Sequence, residues 1–170
     1  RFNESGDPCD LFFLLRTCRI GLVRFNQRGQ FMVSYHLGED GLPPEPVKRL
    51  ISEWHQRLRS HDVQFAVRDY ATVRSKPGDF LYLDPPYKVG RCSLYMGRFD
   101  HARLFDWMEK QKAGYALSLS GFIGDVDHRM DVPAHLFDEE ILIDNGTSAL
   151  HQMNGMPAPR LRDALYLRLR

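Results

Sequence analysis

The segment Phe80-Leu81-Tyr82-Leu83-Asp84-Pro85-Pro86-Tyr87 constrains the fold more than any other stretch of the chain. Four apolar or aromatic residues in a row suit a strand covered on both faces, although so short a run also fits a buried helical turn. The prolines then restrict the exit. Neither carries a backbone donor, and each drives the residue before it toward extended geometry, so the chain leaves in a stiff, non-helical turn. Such a turn is equally compatible with a plain strand stop. In open α/β sheets, however, ligands gather beyond the carboxyl ends of the strands, and that is where Asp84 falls. A carboxylate, a proline carbonyl and an aromatic ring held by a rigid turn can accept hydrogen bonds from an amino group and offer a face for stacking.

The rest of the pattern supports a sheet around that strand. Asp7-Pro8 followed by Leu11, Leu14, Leu15 and Cys18 predicts a helix ending near Gly21. Asn26-Gln27-Arg28-Gly29 lies between two apolar pieces of Val23 to Ser34, as a hairpin would require. Gly41-Leu42-Pro43-Pro44 breaks the chain, and Val47, Leu50, Ile51, Trp54 and Leu58 mark an amphipathic helix. Val63 to Val67 reads as a strand closing on Arg68-Asp69-Tyr70. A glycine-bearing loop follows Tyr87, and Leu104, Trp107 and Met108 have helical spacing. Further strands are expected at Tyr115–Leu119 and Glu140–Ile143, with Ala164–Leu167 an edge or antiparallel strand. Strands alternating with helices after residue 60 predict an α/β fold with parallel pairing in part of the sheet. Residues 1–60 form a basic, helical front and 61–170 the sheet domain.

Composition narrows the function classes. At 170 residues and 43% hydrophobic, the chain has material for one globular domain with a small subdomain. No apolar run approaches the ~18 residues a spanning helix needs, so the expected setting is cytoplasmic, without a membrane. Cys9, Cys18 and Cys92 lack C-x-x-C spacing, and the seven histidines contain no H-x-x-x-H pair, so no metal is expected. A net charge of +1 selects no partner, but its distribution is uneven. Leu11 to Leu37 holds Arg16, Arg19, Arg24 and Arg28 and no acid, and the tail sets Arg160, Arg162, Arg168 and Arg170 against Asp163. Basic patches suit phosphate contact and a solvated face equally well.

Asp84-Pro85-Pro86-Tyr87 matches the D-P-P-Y motif of methyltransferases acting on the amino groups of nucleic-acid bases. Its flanks, "RFNESG", "FFLLRTC", "GLVRFNQRGQF", "FAVRDY", "PGDFLYLDPPY", "LYMGRFDHARL", "LSLSG" and "RDALYL", extend the likeness over most of the chain. In this order the chain resembles the Dam-like DNA adenine-N6 methyltransferases. The resemblance implies a Rossmann-like sheet with a helical DNA-recognition subdomain, S-adenosylmethionine as cofactor, and double-stranded DNA as substrate. It implies that Asp84 and the Pro85 carbonyl hold the target amino group, with Pro86 stiffening the turn and Tyr87 stacking on the extruded base. Asp84 is also implied in holding the cofactor's ammonium. Asp69, fifteen positions earlier (84 − 69), would meet the cofactor's adenine; an acidic helix cap is the other reading of that residue. Arg24, Asn26 and Arg28 fall in the family's DNA-recognition hairpin.

Departures from the family pattern are specific. An F-x-G-x-G loop is expected ahead of the recognition segment, yet the nearest match, Phe122-Ile123-Gly124-Asp125-Val126, lies downstream with valine at the second glycine's place. Gly121 to Asp125 is therefore read as a later loop. The catalytic sheet is expected to be incomplete at its N-terminus, with a missing segment or a partner chain supplying the cofactor loop. Ile20-Gly21-Leu22 and Phe31-Met32-Val33-Ser34 stand where the family often has "NGL" and "FNVP". A non-catalytic DNA-binding remnant, and methylation of cytosine-N4 or RNA, are the alternative functions; aspartate rather than serine before Pro-Pro-Tyr favours adenine.

Overall fold

The computed structural model describes residues 1–18, 23–34, 43–87, 99–147 and 159–169. The expected helix end near Gly21, the break at Gly41-Leu42 and the loop after Tyr87 lie outside the described residues. The chain divides into two compact units, Arg1–Val67 and Arg68–Arg170.

The first unit contains α1 (Phe2–Ser5), α2 (Pro8–Thr17) and α3 (Pro44–Ser60). The Asp7 carboxylate accepts from the Cys9 amide at 2.7 Å, and Pro8 follows as the first helical residue, where a missing N–H costs nothing. The segment after α2 folds back through one antiparallel bridge, Phe25 to Phe31. Gly29, at φ 74°, supplies the left-handed residue of the turn. Asn3 holds the returning strand by its backbone: the Phe31 amide donates to Asn3 Oδ1 at 2.6 Å, and Asn3 Nδ2 donates to the Phe31 carbonyl at 3.1 Å. The rings of Phe2, Phe25 and Phe31 meet in tilted and edge-to-face contacts of 5.7–6.4 Å, a geometry that aligns ring edges with ring faces. Val63 to Val67 is not a strand. Among the described residues nothing pairs with it, so its backbone has no ladder to join, and all five residues are exposed.

The second unit is a mixed sheet of β1 (Phe80–Leu83), β2 (Gly114–Ile123), β3 (Val126–Asp127), β4 (Glu139–Thr147) and β5 (Arg160–Arg168). The order is β1-β2-β5-β4, with β3 a short hairpin partner of β2. Among the described residues only β1 and β2 run parallel, in the register Phe80↔Gly114 to Leu83↔Leu117. Between them α4 (His101–Glu109) makes the crossover, as a parallel pair requires. The remaining pairs are antiparallel. β5 lies inside the sheet between β2 and β4, not at an edge.

Leu81, Leu83, Tyr115, Leu117, Leu119, Ala164 and Tyr166 alternate onto one sheet face and pack with Leu104, Trp107 and Met108 of α4, Val132 and Leu136. Burial is complete or nearly so at Met108, Tyr115, Leu117 and Leu136. The tyrosine hydroxyl in this apolar layer is satisfied by the Leu136 carbonyl. β1 is covered on this face only: Phe80 and Tyr82 point the other way and are 58% and 66% exposed. Gly121 to Asp125 is mostly strand. β2 runs on to Ile123 and turns at Gly124, φ 60°, into β3.

Candidate functional site

β1 ends at Leu83, paired with Leu117, and the double-proline turn begins at once. Asp84 is exposed and makes no hydrogen bond among the described residues. Pro85 and Pro86 are half-buried. The two proline carbonyls differ. His101 Nε2, in the first turn of α4, lies 3.0 Å from the Pro86 carbonyl; because a carbonyl only accepts, the imidazole proton sits on Nε2. The Pro85 carbonyl has no partner among the described residues. One carbonyl thus fixes the turn, and the other is left to accept from outside. The Phe99 ring meets His101 in a T-shaped contact at 4.9 Å and supports the imidazole.

Tyr87 turns its hydroxyl into the sheet. Its oxygen lies 2.8 Å from Ser118 Oγ on β2 and donates to Asp163 Oδ2 on β5 at 3.2 Å. A phenol has one proton, so once it is given to the carboxylate, Ser118 must be the donor to the phenol oxygen. Asn145 Nδ2 on β4 donates to the same carboxylate oxygen. Burial is the main cause that pushes the Tyr87 hydroxyl up to about 12; the Ser118 bond works against it, and the negative charge of Asp163 works with it.

Asp69 does not end a strand. It caps a single 3-10 turn, Tyr70–Thr72, by accepting from the Ala71 amide at 2.9 Å. Its other oxygen accepts from Arg103 of α4 at 3.1 Å. The amide bond is the largest cause of its lowered pKa, with Arg103 adding to it. The capping role is therefore present, and the carboxylate stays half-exposed with lone pairs to spare. Tyr70 beneath it packs edge-on against Trp107 at 5.5 Å, under the Arg103 guanidinium at 5.7 Å.

The hairpin residues of the first unit divide by role. Asn26 Oδ1 accepts from the amides of Arg28 and Gln30, both at 2.9 Å, and its Nδ2 donates to Gln30 Oε1 at 2.8 Å. It builds the turn with its own side chain. Arg24 and Arg28 are exposed. The tail arginines instead serve the sheet: Arg160 pairs with Asp144 at 2.9 Å, Arg162 donates to the Gly124 carbonyl, and Arg168 to the His135 carbonyl.

Chemically, the end of β1 offers a carboxylate and a carbonyl one residue apart, neither with a partner among the described residues, followed by an anchored aromatic ring. That set suits a neutral or cationic amino group, and the open Asp84 carboxylate also fits an ammonium. Among the described residues no group of three or more His, Cys, Asp or Glu could hold a metal ion, and no helix is long and apolar enough to cross a membrane. Sequence reasoning missed Ser118, Asn145, Asp163 and His101. Ser118 and Ser120, polar at every second place in an apolar strand, were the available signal.

Comparison with known proteins adds a family match. The family model for D12 class N6 adenine-specific DNA methyltransferase matches residues 2–112, which include Asp69, the double-proline turn and the hairpin. The chain is 30% identical over 89 residues to a type II methyltransferase of Lactococcus lactis subsp. cremoris, covering 51% of this chain and 31% of that protein. It is 32% identical over 89 residues to the DNA N-6-adenine-methyltransferase of Escherichia phage P1, covering 51% of this chain and 11% of that protein. The chain thus spans about a third of the first relative's length and about a tenth of the second's.

Proposed function

The chain belongs to the D12 class N6 adenine-specific DNA methyltransferase family, and from that premise we propose that its protein methylates the N6 amino group of adenine in double-stranded DNA. The observation that carries this reading is the open Asp84 carboxylate at the head of a turn whose second proline carbonyl is already bound by His101. An exocyclic amino group is a poor nucleophile because its lone pair is delocalised into the ring. Asp84 and the Pro85 carbonyl accept its two N–H bonds, localise that lone pair on nitrogen and aim it. Pro86 keeps the two acceptors in register. Orientation of this kind supplies a large part of a displacement's acceleration. Tyr87 stacks on the extruded base and offsets part of the few kcal/mol that flipping costs, about 1–3 kcal/mol per stacked base.

S-adenosylmethionine supplies an electrophilic methyl group when bound. Asp84, with no partner among the described residues, fits its ammonium. Asp69 fits its adenine amino group with the lone pairs that Ala71 and Arg103 leave over. Arg24 and Arg28 contact the DNA backbone or base edges, and Asn26 contributes by holding the turn that presents them. On this reading residues 1–60 are a DNA-recognition subdomain, and 61–170 the C-terminal part of a Rossmann-like catalytic domain.

The test is Asp84→Ala in the full gene product, with genomic DNA from a strain lacking adenine methylation as substrate and nucleoside chromatography as readout. N6-methyladenine should disappear while duplex affinity holds. Retained turnover refutes the role of Asp84; methylated cytosine in place of adenine refutes the substrate. Duplex affinity that does not weaken with added salt refutes the contacts of Arg24 and Arg28 with phosphate.

A further inference from the structure

Two strands reach the Tyr87 phenol directly, and a third reaches it through Asp163. Ser118 lies on β2, Asp163 on β5 and Asn145 on β4, and these strands are neighbours in the sheet. Ser118 pairs with Leu165, two places from Asp163, so both side chains fall on the same face by strand alternation. That is the face onto which Tyr87 folds. None of these three residues lies within the span that matches the family model, which stops at residue 112.

The bonds converge on Asp163: Ser118 donates to Tyr87, Tyr87 to Asp163, and Asn145 to Asp163. Each group has a defined role in that relay. Asn145 orients the acceptor, Asp163 accepts the phenol's hydrogen bond, and Ser118 fills a remaining phenol lone pair. A tyrosine ring fixed only at Cβ can swing about two torsions; one also fixed at its far end cannot. The backbone on the Cβ side is itself stiffened by two prolines and the bond from His101.

We propose that Asp163, oriented by Asn145, is a positioning residue that holds the Tyr87 ring at the end of β1, so that its face is already in place for the extruded base. This rests on the methyltransferase reading above. The ring need not be ordered at the moment of stacking, which keeps the base at the distance and angle that Asp84 and the Pro85 carbonyl require. Loss of the anchor should therefore lower turnover far more than it changes cofactor affinity. A misplaced group costs roughly 10²-fold in such cases; for a ring still tethered at Cβ, a loss of roughly ten- to a hundred-fold in kcat is expected.

The experiment uses the full gene product with unmethylated genomic DNA, and compares Tyr87→Phe, Asp163→Ala, Asp163→Asn and the double variant Tyr87→Phe/Asp163→Ala. Tyr87→Phe keeps the stacking face and removes the whole hydroxyl anchor, so it should lose at least as much kcat as Asp163→Ala, which leaves the Ser118 bond. The double variant should lose no more than Tyr87→Phe alone, because both cut the same link. Asp163→Asn, whose amide oxygen still accepts, should recover most of the rate. The KM for S-adenosylmethionine should stay unchanged throughout.

A second measurement needs no DNA. The ring-carbon NMR signal of Tyr87, assigned by its loss in Tyr87→Phe, should titrate near the raised value of about 12 in the wild type. It should titrate lower in Asp163→Asn, where the negative charge is gone. Wild-type turnover in Tyr87→Phe, or multiplying losses in the double variant, overturns the positioning role. An unmoved titration in Asp163→Asn overturns the anchor itself. If the wild type methylates no DNA but the titration moves as expected, the anchor stands and the methyltransferase reading is what fails.

Discussion

The two faces of the C-terminal sheet carry similar amounts of apolar side chain and meet different fates. On one face Tyr115, Leu117, Leu119, Ala164 and Tyr166 disappear beneath α4, Val132 and Leu136. On the other, Phe80 and Tyr82 of β1 are 58% and 66% exposed, while β4 is exposed on both faces, at Ile141, Leu142 and Ile143 alike. The first face ends in ion pairs, with Arg129 bridging Asp127 and Glu140. The second ends in the Ser118–Tyr87–Asp163–Asn145 relay. Stability is concentrated on one side of the sheet, and the proposed chemistry is anchored to the other. The difference teaches that apolar alternation alone does not make a core; a covering layer does.

The largest expected effect tests that contrast. Leu117→Ala should cost about 2–5 kcal/mol, because the residue is fully buried and its cavity cannot collapse. Phe80→Ala should cost under about 1 kcal/mol. Denaturant midpoints of the two variants give the comparison, and equal losses would mean that the second face is covered after all.

Next in size is the pairing of β2 with β5, which both faces share. Gly121 stands at the register break between β2 and β5, where an added Cβ would run into the Arg162 carbonyl oxygen. Gly121→Ala should destabilise by about 1–3 kcal/mol through overpacking. A neutral result in thermal unfolding would show that β5 can move aside and that the break is soft.

Smaller effects come from titration. Tyr87, on the open face, and Tyr166, on the covered one, are both pushed up to about 12, chiefly by burial. A raised folded-state value means that the folded chain holds its proton longer than the unfolded chain, whose tyrosines ionise near 10. Stability should therefore be complete below pH 10 and fall as pH rises from 10 to 12. Tyr87→Phe and Tyr166→Phe should each flatten that fall in denaturant titrations run across the window. A slope left unchanged by one variant would remove that tyrosine from the account.

The smallest effect lies at the acid end. Asp127 is lowered to about 2, mainly by its hydrogen bonds with Arg129. A lowered value reverses the sign: the contribution is complete above the ordinary carboxylate range near 4 and is lost as pH falls toward 2. Asp127 is exposed to solvent, so added salt should shrink its share. An Asp127→Asn variant with an unaltered acid limb in its stability profile would show that the pair contributes nothing to folding.

Much of this was legible in the residues. The turn at Asp84, the helices at Leu11–Cys18, Val47–Leu58 and Leu104–Met108, and the strands around Tyr115, Ile141 and Leu165 all follow from local period and turn chemistry. Two readings failed for the same reason. Val63 to Val67 has strand composition without a partner among the described residues, and β1 has a two-sided apolar pattern with one covered side. Local sequence reports what a segment is suited to, while pairing and coverage depend on distant residues. Asn26 shows the same limit: it was read for what it could bind, and it also holds a turn by bonding the backbone amide two residues on. The cap reading of Asp69, by contrast, is met by its bond from the Ala71 amide.

The sequence by itself determined the stiff exit from β1, because two prolines restrict the backbone wherever they occur, and its motif and flanks identified the family. Only the tertiary structure decided which acceptors remain open. His101 reaches the Pro86 carbonyl across fifteen positions, Ser118 reaches Tyr87 across thirty-one, and Asp163 reaches it across seventy-six. Those bonds depend on the order of strands in the sheet, and strand order is a property of long-range pairing that no local pattern encodes.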